Sequence, residues 1–339
     1  MKAVRLATAC LVSGVIATEA ADPNGAHAAP VQGDKSTVSF TVENDSFFGT
    51  DRYYTHGFRL QYMHRPNDLP GWATTFLNEF PTLGMDVNRR RVGVALGQEF
   101  YTPAHIRRSA LQVDDRPYGA WLHGSLILRR AGMVSGDVPV MDEFELDLGV
   151  VGPEALGEKT QKWWHKLTDM PEPRGWDHQL ETEPAIQLFL TRSFQIGFRN
   201  DEYWGVDVVP HGRVALGNMY IYGEVGTMFR AGFNLPLEYV VSPMESFSTH
   251  PSYDPPEWSV YAFAGADGRV VGRNIFLDGN SFRDSHSVDK ELFVSDLRAG
   301  LAVRYKGFET VGSVVHRTRE FELQEEDENF LSITFQFHF

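Results

Sequence analysis

The sequence predicts an all-β protein, a transmembrane barrel of twelve antiparallel strands with a short helix in an extracellular loop. Three observations predict it: apolar and polar residues alternate with period two, connections are either very short or long, and the last strand carries aromatics at 335, 337 and 339. One apolar and one polar face also suit a soluble antiparallel sheet, so a secreted β-sandwich remains the alternative.

Composition removes several other classes. The chain has 339 residues, of which 42% are hydrophobic and 13% aromatic, and its net charge is -14. That aromatic content argues against disorder, and the lack of a long apolar run argues against membrane-spanning helices. Nucleic acid is not an expected partner, because binding phosphates needs clustered lysine and arginine. A membrane barrel stays open, since its strands never form a continuous apolar run.

The N-terminal residues 1–28 predict a secretory signal peptide. A basic start precedes a short apolar run at 6–17, and a small-residue cleavage motif ends at Ala28. The sole cysteine, Cys10, lies inside this segment. The exported remainder, 29–339, is predicted to be one barrel domain without disulfides, stabilised by packing or by the membrane.

The alternating pattern yields thirteen strand candidates, beginning near 36, 55, 90, 119, 142, 184, 206, 219, 258, 269, 292, 308 and 329. Barrels of one bacterial chain have an even number of strands, so we predict twelve and remove the candidate near 269. The connections at 217–218 and 306–307 are short, whereas others are long: 65–89, 101–117, 152–183, 234–257 and 278–290. We expect the short turns at one end of the barrel and the long loops at the other.

One long loop is predicted to contain a helix. The stretch 153–167 lacks a cluster of β-branched residues, and Pro171 and Pro173 would end the helix. Gln161 and His165 are four residues apart, so they share one helix face.

Candidate chemical groups are few. The chain contains no G-x-S-x-G elbow, no H-E-x-x-H and no nucleotide-binding glycine pattern. A dense polar segment at 43–57 offers Asn44, Asp45 and Asp51, hard oxygen donors that suit Ca²⁺. An ordinary Asx-rich turn would give the same pattern, and a lone surface histidine such as His165 is usually just solvated.

Six motifs resemble the outer-membrane lipid A 3′-O-deacylase family: N-D-S-F at 44–47, T-D-R-Y-Y-T-H-G at 50–57, Q-E-F-Y-T-P at 98–103, D-R-P-Y at 115–118, G-P-E-A-L-G-E-K-T-Q-K-W-W-H at 152–165 and G-W-D-H-Q-L at 175–180. The resemblance implies a twelve-stranded, membrane-embedded monomer in the cell outer membrane. It also implies a Ca²⁺-dependent enzyme that hydrolyses the ester of the 3′ acyl or acyloxyacyl chain of lipid A, in the outer leaflet of lipopolysaccharide.

The resemblance also assigns residues. It puts the family's catalytic histidine at His165 and its helix glutamine at Gln161. The active-site threonine falls on Thr55, and the metal-binding pair falls on Asn44 and Asp45. By strand parity Asn44 points outward to lipid, so a helix folded over the outer wall would form a cleft where lipid A lies.

One position departs from the family pattern. The family's active-site lysine meets Arg107 or Arg108, in a loop of different length, and an acidic partner after the helix falls on Glu172. These three are the predicted substrate-binding residues. Arginine does not easily deprotonate, so a lysine's proton-transfer role would not carry over.

The predicted mechanism needs no serine. His165 has an ordinary pKa of about 6.5 and would take a proton from water, while Ca²⁺ would stabilise the oxyanion of the ester. Two alternatives stay open: an outer-membrane phospholipase A with a serine–histidine pair, and a non-enzymatic small porin or adhesin. The porin alternative predicts that the regions of Asn44, Thr55 and His165 lie far apart.

Overall fold

The computed structural model describes residues 35–136, 138–199, 203–236 and 257–339. These described residues belong to one compact unit, and the predicted signal peptide at 1–28 lies outside them. Within the described ranges, no helix is long and apolar enough to span a membrane.

In the described residues, twelve antiparallel strands form one sheet. They are β1 Thr37–Asn44, β2 Tyr53–Met63, β3 Asp86–Thr102, β4 Gly119–Val134, β5 Val138–Val151, β6 Glu183–Phe194 continuing as Ile196–Arg199, β7 Trp204–Gly217, β8 Tyr220–Phe233, β9 Trp258–Asn274, β10 Phe293–Tyr305, β11 Phe308–Arg317 and β12 Glu328–His338. Both parts of β6 pair with β7, so they count as one strand. The predicted number is confirmed, and the candidate near 269 is the second half of β9.

The sheet closes on itself. Each strand pairs with its chain neighbours, and β12 pairs with β1 from Thr37↔His338 to Asn44↔Leu331. A closed sheet has no edge with unpaired backbone groups, which is the condition for crossing lipid with strands. We refer to the end of the barrel at Thr37 and His338 as the terminal end, and to the end at Asn44 as the site end.

The two faces of the strands differ as the alternation predicts. Outward residues such as Val94, Leu148 and Leu301 are apolar and exposed. Inward residues are buried and charged, and they pair across the lumen, as Arg59 and Glu145 do at 2.7 Å. A buried aromatic cluster from several walls also fills the lumen, including Tyr54, Tyr101, Trp121, Tyr220, Tyr222, Phe276 and Phe330. The barrel is therefore a packed structure in its described part.

The connections do not separate by length as predicted. The long connection 64–85, which carries helix α1 (Gly71–Glu79), leaves the terminal end, as the short turn 306–307 does. The strand ends that flank the long connection 234–257 are also at the terminal end, while 237–256 lie outside the described residues. The short turn 218–219 lies at the site end. The prediction is wrong for 64–85, 234–257 and 218–219, because successive connections of an antiparallel barrel alternate between its ends, whatever their lengths.

Candidate functional site

The loop between β5 and β6 folds down over the outer wall of the barrel at its site end. Gln98 and Phe100 of β3 have the outward parity of the exposed Val94. Phe100 is nevertheless buried, because it packs against Ala155 and Trp176 of the loop. The loop therefore covers the wall on its lipid-facing side.

This loop carries helix α2 (Gly157–Thr168), which begins later than predicted. Pro153 lies in a separate 3-10 turn, and Leu156 has a left-handed φ of 64° that breaks the two apart. Gly157, Gln161 and His165 are the buried residues of α2, so the four-residue spacing puts them on one face against the barrel. A Cβ on Gly157 would lie 2.5 Å from the Cβ of Ala120, so the close approach of α2 needs glycine.

Both ring nitrogens of His165 have partners. Nδ1 lies 2.5 Å from the carbonyl oxygen of Pro171, and Nε2 lies 3.1 Å from Oδ2 of Asp51. A carbonyl oxygen only accepts, so Nδ1 carries a proton and donates it. Pro171, which was predicted to stop the helix, thus also orients the ring, and Nε2 faces the site.

The side chain of Gln161 forms hydrogen bonds with both Asp51 and Trp176. Its Nε2 donates to Oδ1 of Asp51 at 3.1 Å, and its Oε1 accepts from Nε1 of Trp176 at 2.7 Å. The sequence offered Asp51 as an oxygen donor for Ca²⁺ but did not connect it with the helix, and it did not assign Trp176 to the site. Both lie in motifs that the family resemblance rests on, at 50–57 and 175–180, and that was the available signal.

The loop after β1 encloses the carboxylate of Asp45. The backbone N–H of Arg52 donates to Oδ2 at 2.8 Å, while Oδ1 is buried and accepts no hydrogen bond in the described residues. Burial, and next the charge of Asp51, raise the pKa of Asp45 well above its ordinary value. A buried carboxylate with an unsatisfied oxygen, next to the half-buried carboxylate of Asp51, fits a hard divalent cation, which would supply the missing positive charge.

Asn44 fits the predicted ligand role less well. Its side-chain oxygen accepts from the backbone N–H of Ser46 at 2.8 Å and also from the Ser46 hydroxyl. Its Nδ2 donates to the backbone oxygen of Thr55 at 3.0 Å. The arrangement therefore favours Asp45 and Asp51 as cation ligands, with Asn44 bracing the loop against β2.

A β-bulge puts Thr55 on the site side of the wall. Tyr54 points into the lumen, where its hydroxyl donates to Glu43, so Thr55 next to it faces outward. The pairing of β2 with β3 skips Thr55, so His56 faces outward as well. The Thr55 hydroxyl lies 2.7 Å from that of Thr102 and beside the backbone contact with Asn44.

The predicted substrate-binding residues lie at the surface. Arg107, Arg108 and Glu172 are exposed. Arg107 and Glu172 line one cleft of about 520 Å³ together with Pro171, the partner of the His165 ring. The structure thus brings these two charged residues together beside the segment that holds the His165 ring.

A second possible cation cluster lies in the lumen. His211, Glu224 and Asp267 converge there, with Nε2 of His211 lying 2.8 Å from Oδ1 of Asp267. Arg269 lies against Glu224 and Arg298 against Asp267. The arginines already compensate these carboxylates, so the cluster is a less suitable cation site than Asp45 and Asp51.

A measurement of the pKa of His165 tests its contact with Asp51 and needs no bound ligand. Burial lowers that pKa, but the hydrogen bonds to Asp51 and Pro171 outweigh burial and raise it overall. We expect Asp51→Asn to lower the pKa, because the amide no longer stabilises the protonated ring. NMR titration of labelled histidine in chelator measures it, with Asp68→Asn at the terminal end as the control. An unchanged pKa in Asp51→Asn would contradict the contact.

The closed twelve-stranded barrel, its apolar outer surface and its packed charged lumen define the chain as an outer-membrane β-barrel protein. The family model described as outer membrane protein LpxR matches residues 6–339, so the chain belongs to that family and is located in the outer membrane.

One solved structure in particular shares the fold. The chain is similar to "LpxR from Salmonella typhimurium", with a TM-score of 0.73 and 20% identity over 89% of this chain and 100% of that chain. It is less similar to the β domain of the Bordetella autotransporter Brka, with a TM-score of 0.46 and 11% identity over 91% of this chain and 100% of that one. No curated protein matches the chain.

Proposed function

We propose that this protein is a Ca²⁺-dependent esterase that removes the 3′-linked acyl or acyloxyacyl chain from lipid A in the outer leaflet. Family membership supports a role in lipid A remodelling. The observation that carries the enzymatic part is the contact of His165 Nε2 with Asp51 at 3.1 Å, under a loop helix on the lipid-facing wall. A histidine beside acidic groups, at a surface that lipid reaches, suits ester hydrolysis by water.

His165 acts as the general base. Donation from Nδ1 to the Pro171 carbonyl fixes the tautomer, so Nε2 is the atom that takes a proton from water. In the structure Asp51 contacts Nε2, so a water that gives up its proton there has to take the place of the Asp51 oxygen at the ring. Ca²⁺ bound by Asp45 and Asp51 would supply the positive charge that stabilises the developing negative charge on the ester oxygen.

Arg107 and Arg108 bind rather than react. A guanidinium stays charged and presents paired donors that match phosphate, so these residues suit the phosphate groups of lipid A at the cleft mouth. The two arginines thereby keep the positive charge of the family's lysine, but they do not replace it as a proton donor or acceptor.

The phospholipase alternative is less well supported. Its required serine–histidine contact occurs in the described residues between Ser125 and His123, where the hydroxyl lies 3.3 Å from Nδ1. Both side chains are buried in the lumen, away from the lipid-facing wall. The porin alternative is disfavoured by the packed lumen and by the contacts that join the Asn44, Thr55 and His165 regions.

Mass spectrometry of lipid A from cells with and without this protein tests the proposal. We expect lipid A to lose the mass of its 3′ chain only when the protein is present. Phospholipids from the same cells are the control, since a phospholipase would produce lysophospholipids instead. Lipid A of unchanged mass in cells with a correctly inserted barrel would refute the proposal.

Gln161→Ala should have a moderate effect. Gln161 contacts Asp51 and Trp176, so it positions the carboxylate. A hydrogen bond to a charged group contributes about 1.5 kcal/mol or more, so we expect roughly a tenfold loss of deacylation. Lys159→Ala, at an exposed position of the same helix, should leave the rate unchanged. A loss as large as that of a His165 variant would instead assign Gln161 a direct part in the reaction.

A further inference from the structure

Helix α1 lies on the outside of the barrel at the terminal end. Phe144 of β5 has the outward parity of Leu148, which is 54% exposed, yet Phe144 is only 6% exposed. It is covered because Ala73 and Leu77 of α1 pack on it and on Leu128 of β4. The helix therefore occupies a place where the rest of the wall faces lipid.

Arginines of the outer wall hold α1 in place. Nη1 of Arg130 donates to the carbonyl oxygens of Leu77 at 2.9 Å and Phe80 at 2.6 Å, and Arg192 donates to Thr82 at 2.6 Å. The bond to Leu77 satisfies a carbonyl that the helix C-terminus leaves unpaired, and the other two hold the segment that follows the helix. Asp142 compensates the charge of Arg130 at 2.8 Å. The helix is thus docked in one orientation.

The docked helix exposes large apolar side chains. Trp72 is 55% exposed and Phe76 42%, and they lie one turn apart beside the buried stripe of α1. The chain continues with the exposed Phe80 and Leu83. Away from this face the helix carries Thr75 and Asn78, which are polar and exposed, and the exposed Glu79 lies beside Trp72. The helix is amphipathic, and its apolar side is only partly used by the barrel.

The apolar surface of α1 continues the lipid-facing surface of the terminal end. Exposed aromatics of the strands lie at that end, among them Trp204, Trp258, Tyr305, Phe308 and Phe337. Aromatic side chains concentrate at the membrane interface, where an apolar body and a polar edge are both accommodated. The exposed face of α1 therefore lies at the same end of the barrel as the aromatics that mark this interface.

A cleft beside α1 fits the same occupant. Its volume is about 520 Å³, and it lies between the outer wall and the segment leading into α1. Leu69, Val92 and Val94 form an apolar lining, whereas His64 and Asp68 form a polar part, with Nε2 of His64 lying 3.0 Å from Oδ2 of Asp68. An apolar groove with a polar part matches the boundary between a lipid headgroup and its acyl chains.

We propose that α1 is an interfacial anchor that inserts its Trp72–Phe76 face into the phospholipid leaflet at the terminal end. Amphipathic helices lie in this plane with their apolar face among the upper acyl chains. The leaflet that α1 enters is opposite the one that holds lipid A, and this assignment rests on the proposed function. The insertion itself does not, because it follows from the helix and the wall alone.

Site-directed spin labelling tests the anchor. The sole cysteine of the chain, Cys10, lies in the predicted signal, so the exported protein accepts a single introduced cysteine. Phe76→Cys and Thr75→Cys are matched variants, since both positions are exposed and about 100° apart around the helix. The protein is placed in phosphatidylcholine vesicles at a low protein-to-lipid ratio. A nitroxide at 76 should be relaxed by oxygen and shielded from a water-soluble nickel chelate. A nitroxide at 75 should be relaxed more by the nickel chelate and less by oxygen.

Trp72→Cys should behave as Phe76→Cys does, and heat-modifiable mobility confirms that each labelled barrel has folded. Equal accessibility to nickel at 75 and 76 would overturn the proposal, because the face would then be in water. Spin–spin broadening at position 76 would overturn it as well, since a second copy of the chain would then cover the face. Neither outcome bears on deacylase activity, so failure here is distinct from failure of the proposed function.

Discussion

Replacing His165 by asparagine is expected to abolish deacylation of lipid A, with a loss of at least about 10²–10⁴-fold, the usual contribution of a general base. Asparagine still donates a hydrogen bond from its side chain, so the Pro171 contact is partly kept. It cannot take a proton from water at neutral pH. The measurement is lipid A mass spectrometry, supported by the rate of 3′-chain release from purified lipid A.

His64→Asn is the matched control for this variant. His64 lies at the terminal end, where its Nε2 contacts Asp68 at 3.0 Å, and it takes no part in the site. It should deacylate as the parent protein does. Heat-modifiable mobility should be unchanged in both variants, because neither side chain lies in the packed lumen. Near-normal removal of the 3′ chain by His165→Asn would defeat the assignment of the base.

Asp45→Ala is expected to abolish metal-dependent turnover while the barrel still inserts. The buried Oδ1 of Asp45 is the carboxylate oxygen best placed for a cation, and Asp51 alone offers too few ligands for an ion that takes 6–8 oxygens. Binding of Tb³⁺, a luminescent substitute for Ca²⁺, gives a readout independent of activity. The variant should lose terbium luminescence that Ca²⁺ displaces in the parent protein.

The control here is Asp68→Ala, which removes an exposed carboxylate from the other end of the barrel. Terbium binding and activity should both survive in it. Asn44→Ala should weaken binding less than Asp45→Ala does, because the Asn44 oxygen is engaged by Ser46. Full activity of Asp45→Ala in the presence of a chelator would show that no metal acts at this position.

The strand pattern could be predicted because it depends on local periodicity. Alternation places side chains on two faces whatever the partner strand, so the twelve strands and their apolar outer surface were visible in the sequence. The shared face of Gln161 and His165 follows in the same way from the helical repeat. Even the outward parity of Asn44 needed only a count along β1.

Other features depend on contacts between distant residues. Asp51 meets Gln161 across 110 positions, and no spacing within either segment indicates that they touch. The bulge at Thr55 depends on how β2 pairs with β3, since an extra residue is defined only by the partner strand. The free oxygen of Asp45 and the engaged oxygen of Asn44 look alike as residue types and differ only in their neighbours.

The sequence by itself determined the class of fold, the number of strands and the face that each residue presents, because these follow from backbone periodicity and from exclusion of polar backbone from lipid. Only the tertiary structure decided which end each connection leaves, that α1 lies against the outer wall and that Asp51 joins His165. Those outcomes depend on closure of the barrel, which brings together segments whose spacing along the chain carries no information about their distance in space.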